Sequence, residues 1–136
     1  MSSREVLTLY QNKEISAAAG TQSSTEDGIR EVYYHKGGVL CVRVQDFTDN
    51  SGSGTGYLQF ELYASPNGGV SWHPVGGIVQ SGGTWDASSY SPSFQVSEAG
   101  SCAVVYIPNF GGTMFKLKVV AESASATFDA WLVLDP

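Results

Sequence analysis

The sequence predicts an all-β protein, a single jelly-roll-like antiparallel β-sandwich of about eight to ten strands. Three observations lead there. Apolar and polar residues alternate with a period of two in stretch after stretch. The clearest is Tyr57–Trp72, YLQFELYASPNGGVSW, where Leu58, Phe60, Leu62 and Ala64 alternate with Gln59, Glu61 and Tyr63. The 16 glycines and five prolines are spread along the chain rather than clustered, as short strands joined by tight turns require. No three-turn amphipathic helical pattern appears anywhere in the 136 residues.

The elements follow in chain order. REVLTLY, residues 4–10, places Val6, Thr8 and Tyr10 on one face and Leu7 and Leu9 on the other. It reads as a strand with two partly apolar faces, or as an N-terminal arm that docks on something. Ser16–Asp27, SAAAGTQSSTED, reads as a loop or irregular segment, because Gly20 and the Ser/Thr cluster break its Ala run. The chain is therefore one domain, 1–136, with residues 2–27 readable as an arm or irregular stretch. A strand is expected around Val32, Tyr33 and Tyr34 within Ile29–His35, and Gly37-Gly38 turns the chain.

Val39–Phe47 reads as a strand with Leu40, Val42 and Val44 on its core face and Cys41, Arg43 and Gln45 opposite. Asp46–Gly56, DFTDNSGSGTG, has the composition of a flexible loop. After the Tyr57 strand, Ser-Pro-Asn-Gly-Gly is turn chemistry. Pro66 presets φ, and Asn67, Gly68 and Gly69 tolerate positive φ. Trp72 and Val75 open the returning strand. Gly76–Gln80 offers a short strand, and Ser81–Ser93 a long polar loop holding Trp85 and Tyr90. Phe94 and Val96 begin another short strand. Cys102–Ile107, CAVVYI, is nearly continuous in apolar residues and reads as fully buried. Pro108–Gly112 turns the chain. Met114–Ala121 points Phe115, Leu117, Val119 and Ala121 inward and Lys116 and Lys118 outward. Glu122–Ser125 is a short link. Thr127–Leu134 closes the chain with Phe128, Ala130, Leu132 and Leu134 on one face. The expected core is Leu58, Phe60, Leu62, Phe115, Leu117, Val119, Phe128 and Leu132.

Charge narrows the function classes. Seven basic residues stand against 13 acidic ones, a net charge of −6, and charged residues are only 15% of the chain, against the usual quarter or so. Of the scattered basic residues, only Lys116 and Lys118 share a strand face, which makes no phosphate-tracking stripe. Nucleic acid and anionic membranes are therefore not expected partners. No apolar run of about 18 residues is present. The start, MSSREVLTLYQNKE, lacks the basic and apolar regions of a secretory signal, so folding in the cytoplasm is expected. There, Cys41 and Cys102 read as reduced core thiols, with a bridge between neighbouring strands as the alternative.

No constellation spells out a reaction. His35 and His73 are the two histidines, and neither lies in an HxH, HExxH or HxxxH pattern. No Gly-x-Ser-x-Gly elbow, phosphate loop or dinucleotide fingerprint occurs. Asp46, Asp49, Asn50, Ser51 and Ser53 supply oxygens at a density that suits calcium, but the EF-hand pattern is missing, so a solvated loop is expected. Ser65–Trp72 resembles the Asp-box turn of sialidase-like propellers, Ser-x-Asp-x-Gly-x-Thr-Trp, with Asn67 in place of the Asp and Ser71 in place of the Thr. In that family the motif is a hairpin turn away from the catalytic centre, and this chain is too short for a propeller. No catalytic residue, cofactor or metal is expected. Trp72, Trp85, Trp131 and the seven tyrosines allow stacking on sugars, as in carbohydrate-binding modules. The competing reading packs Trp131 on the core or a subunit neighbour and lets Trp72 close its hairpin.

The second half of the chain, Tyr57–Pro136, resembles small virion proteins of tailed bacteriophages. The residues that carry the likeness are the alternating strand, the Ser-Pro-x-Gly-Gly-x-x-Trp hairpin, MFKLKVVAES and the closing TFDAWLVLDP. The likeness is to head decoration, or cement, proteins. It implies a non-enzymatic sandwich that forms a homotrimer on the outer capsid surface, with itself and the major capsid protein as partners. A tail or fibre-associated protein is the alternative, and a carbohydrate-binding module the alternative from another class.

Overall fold

The structure, a computed structural model, describes residues 5–33, 35–81, 84–85, 92–100 and 102–135. It is all-β. The strands are β1 (Glu5–Ser16), β2 (Gln22–Glu31), β3 (Gly38–Asp49), β4 (Tyr57–Ser65), β5 (His73–Pro74), β6 (Ile78–Ser81), β7 (Thr84–Trp85), β8 (Ser93–Val96), β9 (Cys102–Ile107), β10 (Met114–Glu122) and β11 (Ala124–Leu134). Two antiparallel sheets form the sandwich. One has the order β1-β11-β3-β9-β6-β7; the other has the order β2-β10-β4-β5, with β8 also paired to β4.

The expected phase of the core is the observed one. Leu58, Phe60, Leu62, Phe115, Leu117, Val119, Phe128 and Leu132 are all fully buried. They come from both sheets because period-two strands send every second side chain into the same space. Phe60 sits at the middle of this layer, stacked on Phe94 at 5.1 Å between centroids and edge-on to Phe128 at 5.6 Å.

In the N-terminal part, the strand alternative for residues 4–10 holds from Glu5 onward, and the segment after it departs from expectation. Glu5–Ser16 is paired along its length with β11, so it is a strand of the sandwich and not a free arm. Residues 22–31 form β2 at the edge of the second sheet; an irregular segment was expected through Asp27, whereas residues 29–31 fall within the expected Ile29–His35 strand. β1 also breaks its alternation. Register shifts lie between Thr8 and Tyr10 and between Tyr10 and Lys13, and Asn12 has φ of 48°. The bulge lets consecutive residues Leu9 and Tyr10 both reach the core. The turn from β10 to β11 is tighter than the expected four-residue link. Ser123 alone separates the strands, with φ of 49°.

Within the expected long loop, Thr84–Trp85 pairs with β6. Tyr90 and Tyr34 lie outside the described residues. Val32 lies just past the end of β2 and is buried. CAVVYI is not buried on both faces. Ala103, Val105 and Ile107 point inward, while Cys102 and Tyr106 are exposed and Val104 partly so.

Candidate functional surfaces

The Ser65–Trp72 turn, the loop after Asp49 and His35 lie in separate parts of the sandwich, while His73 belongs to the turn's hairpin. The Ser65–Trp72 turn joins β4 to β5, which pairs back through Tyr63 with Pro74 and Ala64 with His73. Asn67 organises it. Its Oδ1 accepts hydrogen bonds from Ser65 Oγ (2.9 Å) and the Ser71 amide (3.0 Å), and its Nδ2 donates to Ser71 Oγ (3.0 Å). Ser65 Oγ accepts from the Gly69 amide at 2.8 Å. Gly68 and Gly69 have φ of 72° and 95°, a region other residues enter at a cost. The Asn67 amide oxygen is thus the acceptor around which the turn closes.

The hairpin folds Trp72 back over β10. Lys116 Nζ lies 4.6 Å from the centroid of a Trp72 ring and 5.3 Å from that of Tyr63, and it is 3.2 Å from Glu26 Oε1. Lys116 points away from the core as expected, yet it is only 9% exposed. Its ammonium is enclosed by two aromatic faces and a carboxylate. Tyr63 donates its hydroxyl to Glu61 Oε1 at 2.6 Å. That bond, together with desolvation and the nearby negative charge, pushes its phenol up to about 12.

The β3–β4 loop directs its oxygens inward. Asp49 Oδ1 accepts from the Ser51 amide (2.9 Å), Ser51 Oγ (2.5 Å) and the Gly56 amide (3.1 Å). These donors hold its carboxyl below the ordinary range. Asn50 Nδ2 donates to Ala17 O and Ser125 Oγ at 2.9 and 2.8 Å. Among the described residues, no three His, Cys, Asp or Glu side chains converge.

The histidines are apart. His35 Nδ1 meets the Asp135 carbonyl oxygen, and its Nε2 lies 3.3 Å from Glu5 Oε2. These contacts tie the segment before β3 to the start of β1 and the end of β11, which lie side by side at one end of the first sheet. His73 is exposed, with Nε2 3.3 Å from Ser71 Oγ. Among the described residues neither histidine joins a serine to a carboxylate.

Sequence reasoning missed the outer face of the first sheet. Register places Val6 opposite Val133, Val133 opposite Val39, Val39 opposite Tyr106 and Tyr106 opposite Ile78. The next outward row is Thr8, Trp131, Cys41 and Val104. The third is Asp129, Arg43 and Cys102. Val6 is 61% exposed and Tyr106 39%. Farther along the strands the face turns polar, with Glu14, Thr127 and Asp46 in one row and Ser16, Ser125 and Thr48 in another. The expectation that Cys41 and Cys102 are core thiols is therefore corrected. Both are free and lie diagonally on this outer face, Cys41 partly exposed and Cys102 exposed. Burial and the neighbouring Cys102 push the Cys41 thiol up. Trp131 does not pack in the core; it lines an open hollow of about 360 Å³ with Val6, Thr8, Arg43 and Asp129. Asp129 is held there by the Asn12 amide (2.7 Å) and Gln45 Nε2 (2.6 Å). The signal for this face was the apolar character of both phases in VLCVRV, CAVVYI and AWLVL.

No family model matches the chain, and no curated protein matches it. Among solved structures, the chain is similar in fold to the SPBc2 prophage-derived protein YomS, with a TM-score of 0.52 and 15% sequence identity, across 96% of this chain and 93% of that one.

Proposed function

We propose that this protein is a non-enzymatic structural component of a bacteriophage particle, and more specifically a head decoration protein that binds the major capsid protein and stabilises the shell. The observation that carries the reading is the shared fold with a prophage-derived protein over nearly the whole of both chains. The surfaces agree with it. The Asp49 loop spends its carboxylate oxygen on internal hydrogen bonds. A rigid sandwich with sparse charge suits repeated docking on a lattice, where several weak contacts act together. Its place in this reading is the outer capsid surface of the virion, with copies of itself as further partners.

Cryo-electron microscopy of the particles whose genome encodes the chain tests this. Sandwich-sized density at repeated positions on the head is the expected result. Density on the tail or fibres would keep the structural role and overturn decoration. Absence of the protein from purified particles would overturn both.

A further inference from the structure

We propose that the apolar outer face of the six-stranded sheet is a docking surface for a second copy of this chain, paired face to face about a two-fold axis that runs parallel to the strands between β11 and β3. The observations are the three rows of that face and their order across the sheet, β1-β11-β3-β9. An axis in that position leaves height along the strands unchanged and reverses the strand order. β11 of one copy then lies over β3 of the other, and β1 over β9.

Each row meets a complement under this operation. In the third row, Asp129 on β11 faces Arg43 on β3 of the second copy, and the symmetry makes this pair twice. In the second row, the large Trp131 faces the small Cys41, and Thr8 faces Val104. In the first row Val133 faces Val39, and the protruding Val6 faces Tyr106. Aligned packing of two pleated faces is the ordinary geometry of sheets. An interface with the same patch on both sides must be self-complementary in this sense.

Charge selects the second copy over an unrelated occupant. The chain carries a net charge of −6, so approach of two copies is resisted on most of the surface. These three rows hold one anion and one cation, Asp129 and Arg43, placed side by side on adjacent strands. Arg43 is exposed. A different partner requires neither equal heights nor opposite signs across one strand interval; a second copy requires both.

Strand spacing of about 4.8 Å and a rise of about 3.3 Å per residue make the patch on the order of 400 Å² per copy. That is about half of a standard interface side. The dimer is therefore weak and concentration-dependent. It does not require the protein to act in a phage particle.

Sedimentation equilibrium from about 1 µM to about 1 mM tests it, with circular dichroism as the check on folding. The wild-type mass should climb from 14.4 kDa toward twice that value. Val6→Asp and Arg43→Asp, both at exposed positions, should each weaken association at least tenfold while leaving the fold intact. Asp129→Arg alone should do the same, and an equimolar mixture of Arg43→Asp with Asp129→Arg should restore a dimer, because each substituted position then meets its opposite charge. If Asp129→Arg does not fold, the first two variants decide. A monomeric wild type across the range, a trimer mass, or a dimer indifferent to both Val6→Asp and Arg43→Asp would overturn the proposal. So would recognition of a sugar or capsid protein by this face in a chain that never self-associates.

Discussion

Tyr10 donates its hydroxyl to the main-chain oxygen of Leu117 at 2.8 Å, joining residues 107 apart in the chain. The bond crosses from β1 in one sheet to β10 in the other. It falls where the β2–β10 ladder slips, between Leu117 and Val119. The phenol thus supplies a donor at a break in the sheet, and its ring packs edge-on to Phe128 at 5.2 Å. Tyr10→Phe should cost about 1–2 kcal/mol, because it leaves a buried carbonyl short of a partner. Gly28→Ala should also destabilise, by about 1–3 kcal/mol. A Cβ there would lie 2.5 Å from the Tyr10 ring, which cannot retreat without losing both contacts. Urea melts of both variants check this; a change under about 0.5 kcal/mol in both would show that Tyr10 does not close the seam.

Phe60 is fully buried between the sheets and touches rings on both sides of the core. Phe60→Ala should cost about 3–5 kcal/mol, from lost burial and an unfilled cavity. Denaturant melts read the value directly. A loss below about 1 kcal/mol would mean that the layer repacks freely around position 60.

What the sequence made legible follows from where burial is one-sided. β4, β10 and β11 each bury one face, so their alternation is written in the residues and the core list was readable. β2 is an edge strand whose first six residues are Gln22, Ser23, Ser24, Thr25, Glu26 and Asp27. A polar edge avoids unwanted pairing but leaves no hydrophobic signal. β1 hides its register behind two bulges, which no two-residue period can express. The apolar outer face imitates strands buried on both sides, and so the cysteines were misplaced inward. The Asn67 turn was readable from its chemistry. The enclosure of Lys116 was not, because it needs Trp72 and Glu26 from distant segments.

Lys116 and Lys118 sit two residues apart on the same outward phase, but their surroundings differ. Lys116 is packed under Trp72 and Tyr63 and paired with Glu26. Lys116→Ala should cost about 1–2 kcal/mol through lost packing, cation–aromatic attraction and the ion pair. Lys118→Ala should stay within about 0.5 kcal/mol. Thermal melts of the two variants, with Trp72→Ala as a third, compare them. Equal effects at 116 and 118 would show that the aromatic enclosure adds nothing.

Tyr63 links stability to alkaline pH. The folded protein holds the phenol proton up to about 12, whereas an unfolded tyrosine releases it near pH 10. The cause is chiefly the hydrogen bond to Glu61, which only the protonated phenol can donate, followed by desolvation and the negative charge nearby. The folded state therefore binds the proton more tightly than the unfolded state. Its stabilising effect is fully present below about pH 10 and declines as pH rises from about 10 to about 12. Tyr63→Phe removes the titrating group and keeps the ring beside Lys116. Its melting temperature should fall less steeply than the wild type's between pH 9 and pH 11, a range set by these two values. Tyr57 and Tyr10 retain their own raised phenols, by the Glu122 hydrogen bond and by burial respectively, so a residual slope should persist. Tyrosinate absorbance under the same titration should show one late-ionising phenol missing from the variant. Parallel melting curves for the two proteins over this range would rule out the Tyr63–Glu61 bond as a source of the alkaline loss.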